Sequence, residues 1–217
     1  MFDDLAASVL AFTDALGVER FALVGHSLGA SVALLIASTV PDQVTQLGLV
    51  SFGLTTSPVE QVIAGQIGAQ YDRVAQLWGP WLTLARPWFT LTRPNRQIAA
   101  LTPPLPVLLA APYVHHWPPP LNLAFGALDF AGMDPLSALE SAASIGDLRF
   151  TSIAPHASMP TLVLGGRQDR IFPPINQRAL ASVLPNAQIT LLDDCGHVPM
   201  VERPQQCYQA LRTFLTA

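Results

Sequence analysis

The chain has 217 residues, half of them hydrophobic and only 12% charged, with a net charge of −4. An ordinary soluble domain is about a quarter charged, so this surface is bland, while the apolar content excludes disorder and allows a substantial core in one domain with an inserted part. The mild negative balance, with no basic run, argues against nucleic acid as a partner.

Asp3 to Leu16 carries Leu5, Val9, Phe12 and Leu16 at helical spacing, with acids in the first turn and Gly17 to stop it. Arg20 to Val24 reads as a short buried strand, Leu28 to Ser38 as a helix rich in Ala and Leu, and Thr45 to Phe52 as a second strand. Two strands bracketing a helix at this spacing predict a right-handed βαβ unit in a parallel sheet. The pattern then breaks: Leu54 to Pro155 holds 13 of the 20 prolines and all four tryptophans, Trp78, Trp81, Trp88 and Trp117. Helices are predicted there over Gln61 to Trp78 and Pro135 to Ile145, with turns over Leu101 to Pro120. Order returns with a strand at Thr161 to Leu164 and a helix at Pro174 to Leu184. A strand at Gln188 to Leu192 and a helix at Pro204 to Leu215 close the chain. The expected organisation is therefore a core in two parts, residues 1–53 and 156–217, interrupted by a mainly helical, Pro- and Trp-rich insertion over residues 54–155.

Several functional classes fall away on single residues. All 11 basic residues are Arg, which rules out a P-loop lysine, a Schiff-base lysine and a pyridoxal attachment site. Cys195 and Cys207 make no disulfide framework, and no Cys/His cluster has zinc spacing, so neither metal nor cofactor is expected. Met1 is followed by Phe2, Asp3 and Asp4 rather than a basic and then apolar leader, so a cytoplasmic protein is the default. Gln97 to Leu128 is uncharged, yet Pro103, Pro104, Pro106, Pro112 and Pro118 to Pro120 interrupt it. No spanning helix survives so many missing donors, and the segment reads as buried or pocket-lining.

Three short segments carry chemistry. Gly25-His26-Ser27-Leu28-Gly29 lies between a predicted strand and a predicted helix, the context that the G-x-S-x-G nucleophile elbow requires. The turn projects the serine hydroxyl at the carboxyl edge of the sheet, with a helix N-terminus behind it to favour developing negative charge. A serine needs a base, and the base an orienting acid. Asp169 follows one predicted strand and His197 another, so both share the edge of Ser27, in the chain order Ser, Asp, His. Asp169 could instead pair with Arg167 or Arg170. Asp193 and Asp194 are rival acids, but they lie too close in sequence to His197 to reach its ring from the usual side. His26 reads first as a packing residue, His115, His116 and His156 as structural, and Cys195 as a small buried hydrophobe.

On these segments the sequence resembles the α/β-hydrolase superfamily, in the capped branch that contains carboxylesterases, lactonases and carrier-protein methyl ester esterases. Gly25 to Ala30, Gly165 to Asp169 and Gly196 to Glu202 match its nucleophile, acid and histidine segments. The resemblance implies a parallel-sheet α/β core with a helical cap. By it Ser27 attacks an acyl carbon, His197 relays the proton, Asp169 orients His197, and the Leu28 N–H is one oxyanion donor. It implies a serine hydrolase of carboxylic esters with small or medium apolar acyl groups. The alternative is a weak or inactive hydrolase fold serving as a ligand-binding or subunit-interaction module. Ser27 excludes the relatives that use Asp at the elbow, the haloalkane dehalogenases and epoxide hydrolases. A substrate pocket is expected from His26, Trp78, Trp81, Trp88 and Val198. Arg73, Arg86, Arg93 and Arg96 in the cap leave an acidic carrier protein as a further partner. The family's earlier strands, and the His-Gly loop that gives the second oxyanion donor, have no counterpart here. Phe21 to Val24 is then expected to be an apolar edge strand that pairs in a homo-oligomer, with residues near Ser51 to Gly53 completing the oxyanion hole. A short form lacking its first half is the other explanation.

Overall fold

A computed structural model describes residues 2–55, 57–100, 111–137 and 149–217. The chain divides into two compact units: residues Met1–Thr56 with Leu148–Ala217, and Ser57–Asp147.

The first unit is built on four strands, β1 (Phe21–His26), β2 (Val44–Val50), β3 (Thr161–Gly166) and β4 (Ala187–Leu192), all parallel and in the order β1-β2-β3-β4. Helix α1 (Phe2–Ala15) precedes β1, and α2 (Leu28–Thr39) connects it to β2. The strands alternate as their period of two requires. Leu47, Leu49 and Val163 enter a cluster with Ala30, Leu34 and Ile36 of α2. Val50, Leu162 and Leu164 point the other way, against Cys195, Cys207 and Phe214. Every residue of β3 is buried, the signature of a parallel strand covered on both faces. β1 and β4 are the edge strands, and the outward Val24 of β1 is 42% exposed.

Two expectations shift here. Of the predicted stripe, Val9 packs against the core, while Leu5 and Phe12 of α1, and Leu16 just beyond it, do not. Phe2 and Ala6 are the buried residues of that helix, while Leu5, Phe12 and Leu16 are exposed. With Val9, Leu23 and Val24, Leu5 and Phe12 line an open apolar groove of about 560 Å³ beside β1. The second shift is at the boundary near residue 150. A short helix α6 (Arg149–Ile153) and the 3₁₀ turn Ala154–His156 belong to the sheet unit, not to the insertion. Phe150 is the reason: its ring meets Phe2 at 5.1 Å and Phe52 at 5.5 Å, both edge-on. Arg149 adds an ion pair to Asp3 at 2.9 Å.

The remaining helices of the first unit are α7 (Pro174–Val183), α8 (Pro199–Glu202) and α9 (Pro204–Leu215). Among its described residues, the second unit is helical: α3 (Pro58–Leu91), α4 (Arg93–Ala100) and α5 (Pro120–Gly132). α3 runs on past the predicted end at Trp78 and contains Pro80 and Pro87. Each proline lacks one amide donor, and helix resumes beyond it. The predicted turn region 101–110 and most of the predicted helix over 135–145 lie outside the described residues. Among the described residues, no helix is long and apolar enough to cross a membrane.

Candidate active site

The elbow is a tight turn between β1 and α2, and its strain sits on the serine. Ser27 has φ 52° and ψ −117°, a conformation that costs an L-residue about 1–3 kcal/mol. Its N–H donates to the Val50 carbonyl at 2.9 Å, which ties the turn to the end of β2. Gly25 permits the close approach, because a Cβ there would run into the backbone of Gly29 and Ala30. Gly29 has open space where its own Cβ would stand. Ser27 accepts the Ala30 and Ser31 N–H groups at its carbonyl. Leu28 opens α2, so its own N–H is one of the first-turn amides that no helix carbonyl takes.

Asp169 and His197 come from the loops after β3 and β4 and are 3% and 2% exposed. Gly166 lets these loops touch, since a Cβ there would meet the Cys195 and Gly196 carbonyls. Asp169 Oδ1 accepts the Ile171 and Phe172 N–H groups at 2.8 and 3.0 Å. Both carboxylate oxygens face His197 Nδ1, at 3.2 and 3.0 Å. A carboxylate only accepts, so Nδ1 carries the proton and Nε2 is left as a lone pair. The Ser27 hydroxyl, 3.0 Å from Nε2, donates to it. Phe172 stacks along the His197 ring, with centroids 6.2 Å apart and planes inclined by 26°.

The rival acids are engaged elsewhere: Asp193 pairs with Arg167, and Asp194 with Arg203 at 3.6 Å. Cys195 is fully buried, and burial pushes its thiol up to about 12, so it holds no thiolate to compete as nucleophile.

The pocket expectations fare differently. His26 is turned toward the histidine loop, where its Nε2 meets the His197 carbonyl at 2.8 Å. Val198 is half-buried and its N–H donates to Glu202. Trp78, Trp81 and Trp88 lie on α3 of the second unit, 59%, 67% and 65% exposed. With Leu77, Leu84 and Leu91 they form an outward apolar stripe, because helical spacing gathers them on one side of α3. Within the Ser51 to Gly53 stretch, expected to complete the oxyanion hole, the Ser51 N–H is already engaged. The Ser51 N–H donates to the Leu164 carbonyl at 2.8 Å, and Gly53 packs against the Asn176–Gln177 backbone.

Glu202, Gln168 and Phe172 were not singled out from the sequence. The signal for Glu202 was a lone acid within the apolar run Val198-Pro199-Met200-Val201, which must find buried partners. It finds the Gly196 and Val198 N–H groups, at 3.0 and 3.3 Å.

The geometry agrees with what the chain resembles. It is 28% identical to 2-hydroxymuconate semialdehyde hydrolase of Pseudomonas putida over 93% of this chain, and spans 64% of that protein's length, just under two-thirds. It is 29% identical to the dihydrolipoyllysine-residue acetyltransferase component of the acetoin cleaving system of the same species, over 98% of this chain and 50% of that one. A thermophilic esterase from Thermogutta terrifontis shares the fold with a TM-score of 0.64 at 22% identity, covering 100% of this chain and 72% of the esterase. A family model described as the alpha/beta hydrolase fold matches residues 1–204, and the chain belongs to the α/β-hydrolase fold family.

Proposed function

We propose that the protein is a serine hydrolase that cleaves carboxylic esters through an acyl-enzyme. The observation that supports this most directly is the unbroken hydrogen-bond chain from the Ser27 hydroxyl through His197 to the Asp169 carboxylate. The bare Nε2 of His197 takes the hydroxyl proton as Ser27 Oγ attacks the acyl carbon. The imidazolium that forms is held against Asp169, which is fixed in turn by the Ile171 and Phe172 N–H groups. Negative charge on the acyl oxygen develops at the N-terminus of α2, where the Leu28 N–H donates to it. His197 returns its proton to the leaving oxygen, and water repeats the sequence to release the acid.

Esters of small or medium apolar acids are the favoured substrates on a physical ground. An alkoxide leaves with less assistance than an amine or a carbanion, so esters demand the least beyond a triad and an oxyanion donor. The proteins named above comprise a semialdehyde hydrolase, an acetyltransferase component and an esterase.

The test is intact mass after exposure to a fluorophosphonate, with Ser27→Ala as control, followed by turnover of p-nitrophenyl esters of increasing chain length. One adduct that the mutation abolishes, with ester turnover lost alongside, is the expected result. No adduct on folded protein would overturn the reading in favour of a binding or subunit-interaction module.

A further inference from the structure

The turn that carries His197 lies in no helix or strand, yet side chains hold its backbone on every side. The Cys195 N–H donates to Gln168 Oε1 at 3.0 Å, and the Cys195 carbonyl accepts the Gln168 N–H at 2.9 Å. Gly196 and Val198 both donate to Glu202 Oε1. The carbonyl of His197 itself meets His26 Nε2 at 2.8 Å. Gln168 is the neighbour of Asp169 and His26 the neighbour of Ser27. The histidine turn is thus anchored to the acid loop and to the elbow by the residues that adjoin the reacting ones.

The bond from His26 differs from the others because it reaches the base residue itself. A carbonyl only accepts, so Nε2 of His26 carries a proton there and donates it. The two histidine rings lie 5.1 Å apart, inclined by 53°. Burial lowers the pKa of His26 and favours the neutral ring. A neutral donor braces the turn without setting a second positive charge beside the ring that must accept the serine proton.

We propose that His26 is a positioning residue that sets the distance between the nucleophile and its base. Ser27 holds the ring of His197 at Nε2, and His26 holds the backbone of the same residue at its carbonyl. Both grips come from one dipeptide, locked to β2 by the bond from the Ser27 N–H to Val50. Without the second grip the histidine turn can swing away from the elbow. A displacement of about 1 Å from reacting geometry can cost about 10²-fold in rate. The inference rests on the hydrolase reading for its consequence in rate, but the brace itself is a structural statement with its own readout.

Two substitutions separate the bond from the bulk of the side chain. His26→Phe keeps a ring and removes the donor. His26→Gln removes the ring and keeps an amide N–H at nearly the reach of Nε2. The second-order rate of fluorophosphonate labelling is expected to fall by about 10-fold to 10²-fold in His26→Phe, and to be largely restored in His26→Gln. Equal labelling of His26→Phe and wild type would overturn the proposal, as would a His26→Gln protein that falls as far as His26→Phe. Thermal unfolding of each variant controls for folding, and the Gln variant keeps the test open if the Phe variant unfolds. Long-range ¹H–¹⁵N spectra of histidine-labelled wild type give the independent readout, with His26 expected as the Nε2–H tautomer. An Nδ1–H tautomer would refute the brace whatever the labelling shows. An unreactive wild type with His26 protonated at Nε2 would refute the hydrolase reading and leave the brace standing.

Discussion

Replacing Asp169 by Asn changes one atom and, through it, the nitrogen of His197 that carries the proton. Oδ1 of Asp169 accepts the Ile171 and Phe172 N–H groups at 2.8 and 3.0 Å, while Oδ2 makes the nearer approach to His197 Nδ1, at 3.0 Å against 3.2 Å for Oδ1. An Asn has two ways to fit. If its carbonyl oxygen stays with the two backbone donors, its NH₂ points at Nδ1. If it flips, two backbone N–H groups beside a buried residue lose their acceptor, at about 1–3 kcal/mol each. The first arrangement wins, and two N–H groups cannot face each other at hydrogen-bond distance. His197 must then move its proton to Nε2, where it donates to Ser27 and can no longer accept. The corresponding substitution in a serine protease triad keeps the geometry and lowers kcat about 10⁴-fold through the wrong tautomer. A loss of that size here is about 5 kcal/mol of transition-state stabilisation. The assay is the second-order labelling rate, or kcat/KM on a p-nitrophenyl ester, at a fixed pH near neutrality. The midpoint of thermal unfolding should move little, because the Oδ1 bonds survive. A variant within tenfold of wild type would refute the assignment of Asp169 as the group that fixes the tautomer.

The two glycines of the elbow should respond oppositely to alanine. Gly25→Ala sets a Cβ against backbone of the first turn of α2, which cannot yield without moving the Leu28 N–H. It should cost at least about 1–3 kcal/mol in urea unfolding and slow labelling, and a variant of unchanged stability and reactivity would contradict the packing. Gly29→Ala, with open space at its Cβ, should be neutral or stabilising by up to about 1 kcal/mol for the gain in helix propensity. Cys195, with its thiol pushed up to about 12, should resist iodoacetamide in folded protein at pH 8 and react once the chain unfolds. Rapid modification of Cys195 in the native state would show that its burial is not maintained.

What the sequence disclosed, and what it did not, divides along a physical line. Strands buried on both faces are short apolar runs, and a loop at the end of each is where a parallel sheet puts its chemistry. That Ser27, Asp169 and His197 would meet at one edge of the sheet was therefore legible from pattern and order. The face that α1 turns to the core was not, because Leu5, Phe12 and Leu16 are the more hydrophobic stripe and yet lie outward. Phe2 and Ala6 prevail because Phe150, from far along the chain, closes over Phe2, and no local period reports a partner at that separation. The same holds for α3, which runs on through Pro80 and Pro87 past the expected end at Trp78.

The braces of the histidine turn show the limit most sharply. His26, Gln168 and Glu202 each bond to backbone that is remote in sequence or lies across a turn, and a backbone amide or carbonyl is offered by every residue type alike. Their partners therefore leave no mark in the sequence, and only position does. A polar side chain beside a reacting residue, or a lone acid in an apolar run, has to be satisfied somewhere when its surroundings are buried. At this site the nearest unsatisfied groups are those of the turn that must be held still. Asking where such a side chain can discharge its hydrogen bonds would have pointed to all three, whereas hydrophobic periodicity could point to none.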